Sequence, residues 1–150
     1  MQARLNPYKS APETLKALMT LEEKVQASGL EKSLIELVKI RASQINGCAF
    51  CIHMHTHDAR AHGETEERIY LLDAWRESPL YTPRERAALT WTESLTLISE
   101  TRAPDEDFNS VRGEFDDASL VNLTMLIATI NAWNRIAIGF RSQHPVKHAA

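Results

Sequence analysis

Two cysteines and three histidines lie within residues 48–57 of this 150-residue chain. Thiols three residues apart favour redox chemistry or metal binding, because a disulfide between them would close too short a loop to stabilise a fold. At about 100° per residue in a helix, Cys48, Cys51 and His55 fall within about 60° of one another. His53 and His57 then lie on the far side. The spacing predicts one thiol–histidine face and, opposite it, two histidines at the surface or at a subunit contact.

The residue before this segment determines where the thiols lie in the helix. Gly47 is predicted to end one helix and Cys48 to begin the next, so that both thiols lie in a first helical turn. Unpaired backbone N–H groups and the positive end of the helix dipole favour a thiolate there. His55, one turn beyond Cys51, can accept the proton. Such a pair can perform two-electron redox chemistry, in which one sulfur attacks and the other forms a disulfide with it.

A lone carboxylate upstream is the candidate partner of the histidine. Glu36 is surrounded by apolar residues in the segment 34–38. A charge in that position needs a partner, because burying it alone costs desolvation free energy. The helix pair predicted at 31–46 and 48–62 can bring Glu36 to His55. The alternative is a structural salt bridge from Glu36 to Arg41 or Lys39.

Glycine and proline mark the elements that must position these side chains. Five Gly and six Pro are few for a β-rich chain of this length. Helical periodicity predicts seven helices, at about 12–28, 31–46, 48–62, 65–77, 83–100, 104–114 and 117–140. Four glycines are predicted to follow helix ends and three prolines to stand just inside helix starts: Gly29, Gly47, Gly63 and Gly113, and Pro12, Pro83 and Pro104. We predict an all-α, single-domain antiparallel bundle over residues 1–150.

Charge and hydropathy exclude several classes of partner. With 17 Lys plus Arg against 20 Asp plus Glu, the net charge of −3 lacks the basic surplus of a nucleic-acid binder. The apolar stretch 120–140 is interrupted by three asparagines and an arginine, which predicts a buried helix rather than a membrane span. The N-terminus shows no signal-peptide pattern, so we expect a cytoplasmic protein. The same stretch is apolar enough to pack a core and a partner subunit.

The spaced set Glu36, Cys48-x-x-Cys51 and His55 resembles the signature of the carboxymuconolactone decarboxylase superfamily, in its alkylhydroperoxidase D branch. The segments 37–47 and 132–135 are also typical, and the similarity extends over roughly residues 30–140. The resemblance implies an all-helical subunit in a homo-oligomer, a trimer or hexamer. It also implies a cofactor-free peroxidase in which Cys51 attacks, Cys48 resolves, His55 is the base and Glu36 orients it.

The same resemblance implies the reaction partners and shows one departure. The substrates would be hydrogen peroxide or small organic hydroperoxides, and a lipoyl-bearing or thioredoxin-like protein would supply the external dithiol. The alkylhydroperoxidase D enzymes have a second histidine between the cysteines, where this chain has Phe50. The lactone decarboxylases proper lack the Cys-x-x-Cys pair.

Other interpretations remain open at this point. Cys48, Cys51 and His55 could hold zinc, with Glu36 or His62 as a strained fourth ligand, in a binding or redox-sensing module without turnover. The chain could instead be a lactone-decarboxylase-type enzyme in which the thiols are incidental. The three tryptophans are predicted to be core or interface residues. Arg135, in an apolar helix, is predicted to need a carboxylate or a subunit partner.

Overall fold

A computed structural model of the protein describes residues 2–145, and within that range the chain is all-helical with no β-strand. It forms nine α-helices and one 3₁₀ turn: α1 Pro7–Ser10, α2 Pro12–Gln26, α3 Lys32–Asn46, α4 Ala49–Ala61, α5 Glu66–Tyr70, the 3₁₀ turn Leu71–Ala74, α6 Pro83–Thr96, α7 Ile98–Thr101, α8 Asp105–Glu114 and α9 Asp117–Phe140. The predicted all-α class is confirmed.

The helix ends follow local capping chemistry. Thr82 caps α6 through a reciprocal capping box with Glu85, and the Asp116 side chain accepts the Ser119 N–H at the start of α9. Gly29, Gly47 and Gly63 have positive φ, as predicted for residues that follow helix ends. The prediction for Gly113 is wrong, because this residue lies inside α8. Pro104 is likewise the residue before α8 rather than its first residue.

The structure differs from the seven predicted helices in three places. The four-residue α1 was not predicted, because it is too short to show a periodicity. The predicted helix 65–77 divides at Tyr70, after which Leu72 and Trp75 are both buried. Their spacing of three suits a 3₁₀ turn, which places residues i and i+3 on the same face. The predicted helix 83–100 breaks at Leu97, where the Thr101 hydroxyl donates to the Ser94 carbonyl.

Helix α3 lies at the centre of the structure. Every residue from Leu34 to Ile40 is buried, which means that α3 packs against neighbours on all sides. Two apolar clusters flank it, one shared mainly with α6, α8 and α9 and the other containing Trp75 and Tyr81. A third cluster joins the end of α3 to α4 and α9, and it contains both cysteines. The thiols therefore lie where three helices meet.

Helix α9 is the apolar element predicted over residues 120–140. Its Leu123, Leu126, Ile127 and Ile130 are fully buried, whereas Val121, Met125 and Ile138 are exposed. Among residues 2–145, no helix, α9 included, is long and apolar enough to cross a membrane. The exposed apolar residues of α9 are compatible with the predicted subunit contact, which remains a prediction.

Candidate active site

The turn between α3 and α4 places the two thiols. Gly47 ends α3 with φ +70°, a left-handed conformation that favours glycine. Cys48 is the N-cap of α4; its backbone N–H donates to the Ser43 carbonyl at 2.9 Å, and its sulfur accepts the Cys51 N–H at 3.4 Å. Both thiols therefore occupy the first turn of α4, as predicted.

The two sulfurs lie within hydrogen-bond distance of each other in a buried environment. Cys48 and Cys51 are free thiols, and their Sγ atoms lie 2.6 Å apart. The hydrogen bond from the Cys51 thiol lowers the pKa of Cys48 to about 7, and the Cys51 and Phe50 backbone N–H groups add to the effect. The pKa of Cys51 is raised, because its proton is held by Cys48 and because the thiol is buried. The pair thus loses its first proton near neutral pH and retains the second.

Glu36 and His55 form the predicted carboxylate–histidine pair. The Glu36 Oε2 atom lies 2.9 Å from His55 Nδ1, and the two residues are only 5% and 6% exposed. A carboxylate on Nδ1 fixes the ring and leaves Nε2 free to exchange a proton. The alternative salt bridges for Glu36 are not formed, since Lys39 pairs with Glu22 and Arg41 with Glu93 and Asp73.

Asn134 of α9 and Ser43 of α3 lie beside the apolar cluster that contains both cysteines, and neither was predicted from the sequence as a site residue. Asn134 is four residues after Ile130 and three before Ala137, the α9 members of that cluster, and Ser43 follows Ala42, its α3 member. The fully buried Asn134 of α9 donates from Nδ2 to the Ser43 Oγ at 3.0 Å. A hydrogen bond from the Asn134 side chain lowers the pKa of both cysteines, and one from Ser43 lowers that of Cys51. Asparagines within an otherwise apolar helix were the available signal, because a buried amide needs a partner.

A cavity of about 500 Å³ opens onto one of the two sulfurs. Its wall includes Cys51 and His55 but not Cys48. The other wall residues are mostly apolar and come from the N-terminal segment, α2, α4 and α9, and they include Leu5, Met19, Phe50, Met54, Trp133 and Ile136. Glu22 is the ionisable residue on α2 that borders the cavity. A small apolar molecule in this space would therefore meet Cys51 first.

Three other histidines, on α4 and at its C-terminal end, lie away from the thiols. His53, His57 and His62 are exposed, and the ring of His53 stacks on that of His144 at 4.7 Å. The predicted fourth ligand His62 therefore does not reach the cysteines. Among residues 2–145, one group of three side chains offers ligand atoms within 4.8 Å for a metal, namely Glu36, His55 and Asp58. The sulfurs do not belong to it, so the predicted thiolate–histidine zinc set is not assembled.

The predictions for the tryptophans and for Arg135 have different outcomes. Trp75 and Trp91 are buried in the core as predicted, whereas Trp133 is half-buried and borders the cavity. Within the described residues, Arg135 has an amide partner and no carboxylate partner, and the alternative of a subunit partner stays a prediction. Its Nη1 donates to the Asn131 backbone carbonyl at 2.8 Å and to Asn131 Oδ1 at 3.0 Å. The guanidinium is thereby held next to the buried amides of α9.

Comparison with known proteins identifies the family. The family model described as "Carboxymuconolactone decarboxylase family" matches residues 12–94, more than half of the chain and all of α2, α3 and α4. The chain belongs to the carboxymuconolactone decarboxylase family. It is also 49% identical, over 92% of its own length and 94% of the relative's, to the uncharacterised protein YdfG of Bacillus subtilis (strain 168).

Two solved structures share the fold, and the one with the higher identity supports the alkylhydroperoxidase D-like branch for this family member. One is a protein of unknown function from Agrobacterium tumefaciens, suggested to be an antioxidant defence protein AhpD, with a TM-score of 0.95 and 53% identity over 97% of this chain and 100% of that one. The other, a peroxidase-related protein from Ralstonia eutropha JMP134 with an alkylhydroperoxidase AhpD core, shares the fold at a TM-score of 0.79 and 19% identity, over 91% and 73%. Family and fold support a peroxidase-related or decarboxylase-type role.

Proposed function

We propose that the protein is a thiol-dependent peroxidase that reduces hydrogen peroxide or small organic hydroperoxides. The observation that carries the proposal is the thiol pair beside the Glu36–His55 pair, with Cys51 on the wall of a mostly apolar cavity. A nucleophile, a proton carrier and a second thiol are thus available to one bound substrate.

The first half of the cycle oxidises Cys51. One thiol proton passes to His55, and Glu36 stabilises the imidazolium that forms. The proton left between the sulfurs moves to Cys48, which places the thiolate on Cys51 at the cavity wall. This thiolate attacks the terminal oxygen of the hydroperoxide and the O–O bond breaks. Cys51 becomes a sulfenic acid, and the leaving alkoxide takes the His55 proton and departs as an alcohol, or as water when the substrate is hydrogen peroxide.

The second half forms the disulfide. The Cys48 thiol gives its proton to His55, and its sulfur attacks the Cys51 sulfur. The hydroxide that leaves takes the proton and becomes water. Two thiols and one hydroperoxide thus yield a disulfide, an alcohol and water. An external dithiol returns two electrons and two protons, and the resemblance to the alkylhydroperoxidase D branch favours a lipoyl-bearing or thioredoxin-like protein in a homo-oligomeric enzyme.

The proposal uses one histidine instead of two. Phe50 occupies the position between the cysteines and borders the cavity. Its ring cannot carry a proton, so every proton transfer is assigned to His55, Glu36 and the sulfurs themselves. Glu36→Gln is therefore expected to slow hydroperoxide reduction at pH 7 by about 100-fold, which is the order of one general acid–base contribution.

Substitution of each thiol tests the proposal. Cys51→Ser is expected to abolish hydroperoxide consumption, whereas Cys48→Ser is expected to retain a single turnover that ends as a sulfenic acid. One equivalent of peroxide should remove both thiols of the native chain and lower its monomer mass by two hydrogens. His57→Ala, at an exposed position on α4, is the matched control. Undiminished peroxide consumption in Cys51→Ser would exclude this mechanism.

The family assignment also allows a decarboxylase-type enzyme. In that case a small organic acid would bind in the same cavity and the thiols would be incidental. Activity on such an acid that survives complete thiol alkylation would support that role.

Stoichiometric zinc in the purified protein, lost in Cys48→Ser, would instead support a metal-holding module.

A further inference from the structure

Four polar side chains and one guanidinium form a continuous hydrogen-bonded chain from the surface to Ser43, beside the cluster that contains both cysteines. It begins at the exposed Arg135 and passes through Asn131, Asn46 and Asn134 to Ser43. Ser43 and Asn134 are fully buried, and Asn131 is 8% exposed. The cycle proposed above does not use any of these five residues.

The direction of each hydrogen bond follows from Arg135, because a guanidinium can only donate. Its Nη1 donates to Asn131 Oδ1 at 3.0 Å, so the Asn131 Nδ2 atom must face the other way. That nitrogen indeed donates to Thr96 Oγ1 at 3.1 Å and to the Ile127 carbonyl at 2.9 Å. The orientation of the first amide is therefore fixed from both sides.

The same logic fixes the next two side chains. Asn46 approaches the oxygen of Asn131 and must do so with a donor, and its Nδ2 lies 2.9 Å from Asn131 Oδ1. The second proton of that nitrogen is donated to Asn134 Oδ1 at 2.8 Å. Asn134 must then present its Nδ2 to Ser43 Oγ at 3.0 Å, on the face of α9 that contributes Ile130 and Ala137 to the cysteine cluster. Because Ser43 Oγ accepts from Asn134, its hydroxyl proton is free to point at Cys51.

We propose that Asn134 and Ser43 form a donor site that stabilises negative charge on the Cys48–Cys51 pair, and that Arg135 orients this site through Asn131 and Asn46. In this proposal Asn134 and Ser43 are the donors to the reacting sulfurs, whereas the other three are positioning residues. Donors are needed there because a buried thiolate without hydrogen bonds is costly in a medium of low dielectric constant. The inference deepens the proposed function and rests on it, but thiol acidity is measured without peroxide, so the two can fail separately.

The charged groups near the thiol pair are engaged with other partners, so we assign the stabilisation of its negative charge to neutral donors. From α3, Glu36 is engaged with His55, and Lys39 is paired with Glu22 of α2. His55 comes from α4 itself, and α9 contributes Arg135, which acts through Asn131. Asn134 and Ser43 are thus the side chains whose hydrogen bonds lower the pKa of the Cys51 thiol, and Asn134 also acts on Cys48.

The experiment is the rate of alkylation of the reduced protein by iodoacetamide as a function of pH. Asn134→Leu keeps the approximate size and branching of the side chain, but it removes the N–H donor without adding a charge. We expect its alkylation midpoint to move up by at least about one pH unit from a native value of about 7, which lowers the thiolate fraction at pH 7 about fivefold. Ser43→Ala should shift the midpoint in the same direction by a smaller amount.

Arg135→Ala separates positioning from folding, because Arg135 is exposed and its loss leaves no buried charge. We expect an upward shift of the alkylation midpoint with unchanged helix content by circular dichroism. The matched control is Arg112→Ala, which removes one exposed arginine from α8, outside the hydrogen-bonded chain. An Arg135→Ala midpoint equal to that of the control would overturn the positioning role. An unshifted midpoint in Asn134→Leu, or in Ser43→Ala where the former does not fold, would overturn the donor site itself.

Discussion

Lys39→Met is expected to destabilise the protein through the carboxylate that it leaves behind. The Lys39 side chain is 2% exposed and forms an ion pair with Glu22, whose side chain is 21% exposed. The Glu22 Oε1 atom also accepts a hydrogen bond from Gln26 at 3.0 Å, and Oε2 is buried without a hydrogen-bond partner among the described residues. Removal of the ammonium would leave Glu22 as a largely buried charge held by one amide.

The expected cost follows from the burial of the pair. Loss of one partner of a buried ion pair costs about 3–5 kcal/mol, and the partial exposure of Glu22 places Lys39→Met near 3 kcal/mol at pH 7. Replacement of both charges, in Glu22→Leu with Lys39→Met, should return the free energy of unfolding to within about 1 kcal/mol of the native value, because no unpaired charge remains.

The pH dependence of this cost has a definite sign. Burial raises the pKa of Glu22, but the hydrogen bond and charge of Lys39 outweigh it, so the pKa lies below its ordinary value. The pair therefore stabilises the native protein above the unfolded carboxyl pKa of about 4.3, and this contribution is lost as the pH falls through the lowered native value. In Lys39→Met the contribution of the lysine is absent, so burial raises the pKa of Glu22 and its carboxylate protonates at a higher pH. The free energy of unfolding of Lys39→Met should thus fall below that of the native protein by the full amount at pH 7 and by a smaller amount at pH 4.

Urea unfolding at pH 7 and at pH 4 measures these differences. Lys24→Met, which removes a lysine from an exposed position of α2, is the matched control and should change the free energy of unfolding by less than about 0.5 kcal/mol. A cost of Lys39→Met below about 1 kcal/mol at pH 7 would refute the reasoning. So would a double variant as unstable as the single one.

Three other predictions follow from single positions. In urea unfolding, Gly47→Ala should lower the free energy of unfolding by about 1 kcal/mol, because φ is +70°; no atom would contact the new Cβ within 4 Å, so the cost is that of the backbone conformation. Gly113→Ala, inside α8, should instead raise the free energy of unfolding by about 0.5–1 kcal/mol. Equal effects of the two substitutions would contradict this. The rate of iodoacetamide alkylation should increase with pH with a midpoint at about pH 7, the pKa of Cys48, and at pH 6 it should be about tenfold below its high-pH plateau. A midpoint near pH 9 would contradict this prediction. Leu126→Ala, at a fully buried position, should cost about 3 kcal/mol, and exposed Val121→Ala less than about 0.5; similar costs would argue against the described packing of α9.

The sequence supported the helical class and the contact between Glu36 and His55 because both depend on short-range patterns. Pro83 and Gly47 mark helix ends through their own backbone preferences, which do not require knowledge of the neighbours. Glu36 and His55 lie on two helices joined by a single turn. An apolar neighbourhood around one carboxylate was therefore enough to predict its partner, and the 2.9 Å distance between Glu36 Oε2 and His55 Nδ1 agrees.

The rest of the site depends on helices that are distant in the sequence. Asn134 lies 91 residues from Ser43, and no local pattern connects them. Lys39 was considered as a partner for Glu36 because it is one turn away, but its actual partner is Glu22 on α2. The cavity is likewise bounded by the N-terminal segment together with α2, α4 and α9, so it exists only once these elements have packed.

One stripe of α3 nevertheless explains how these distant contacts arise. Glu36, Lys39 and Ser43 are spaced by three and four residues, so they share one face of a helix that is buried on all sides. None of the three side chains can reach water, and each takes its partner from a different helix: Lys39 from α2, Glu36 from α4 and Ser43 from α9. Because an unpaired buried polar group is costly, this stripe favours only arrangements in which all three neighbours are in place. The contacts that stabilise the packing around α3 are thus the same contacts that bring a carboxylate to the histidine and an amide donor to the sulfurs.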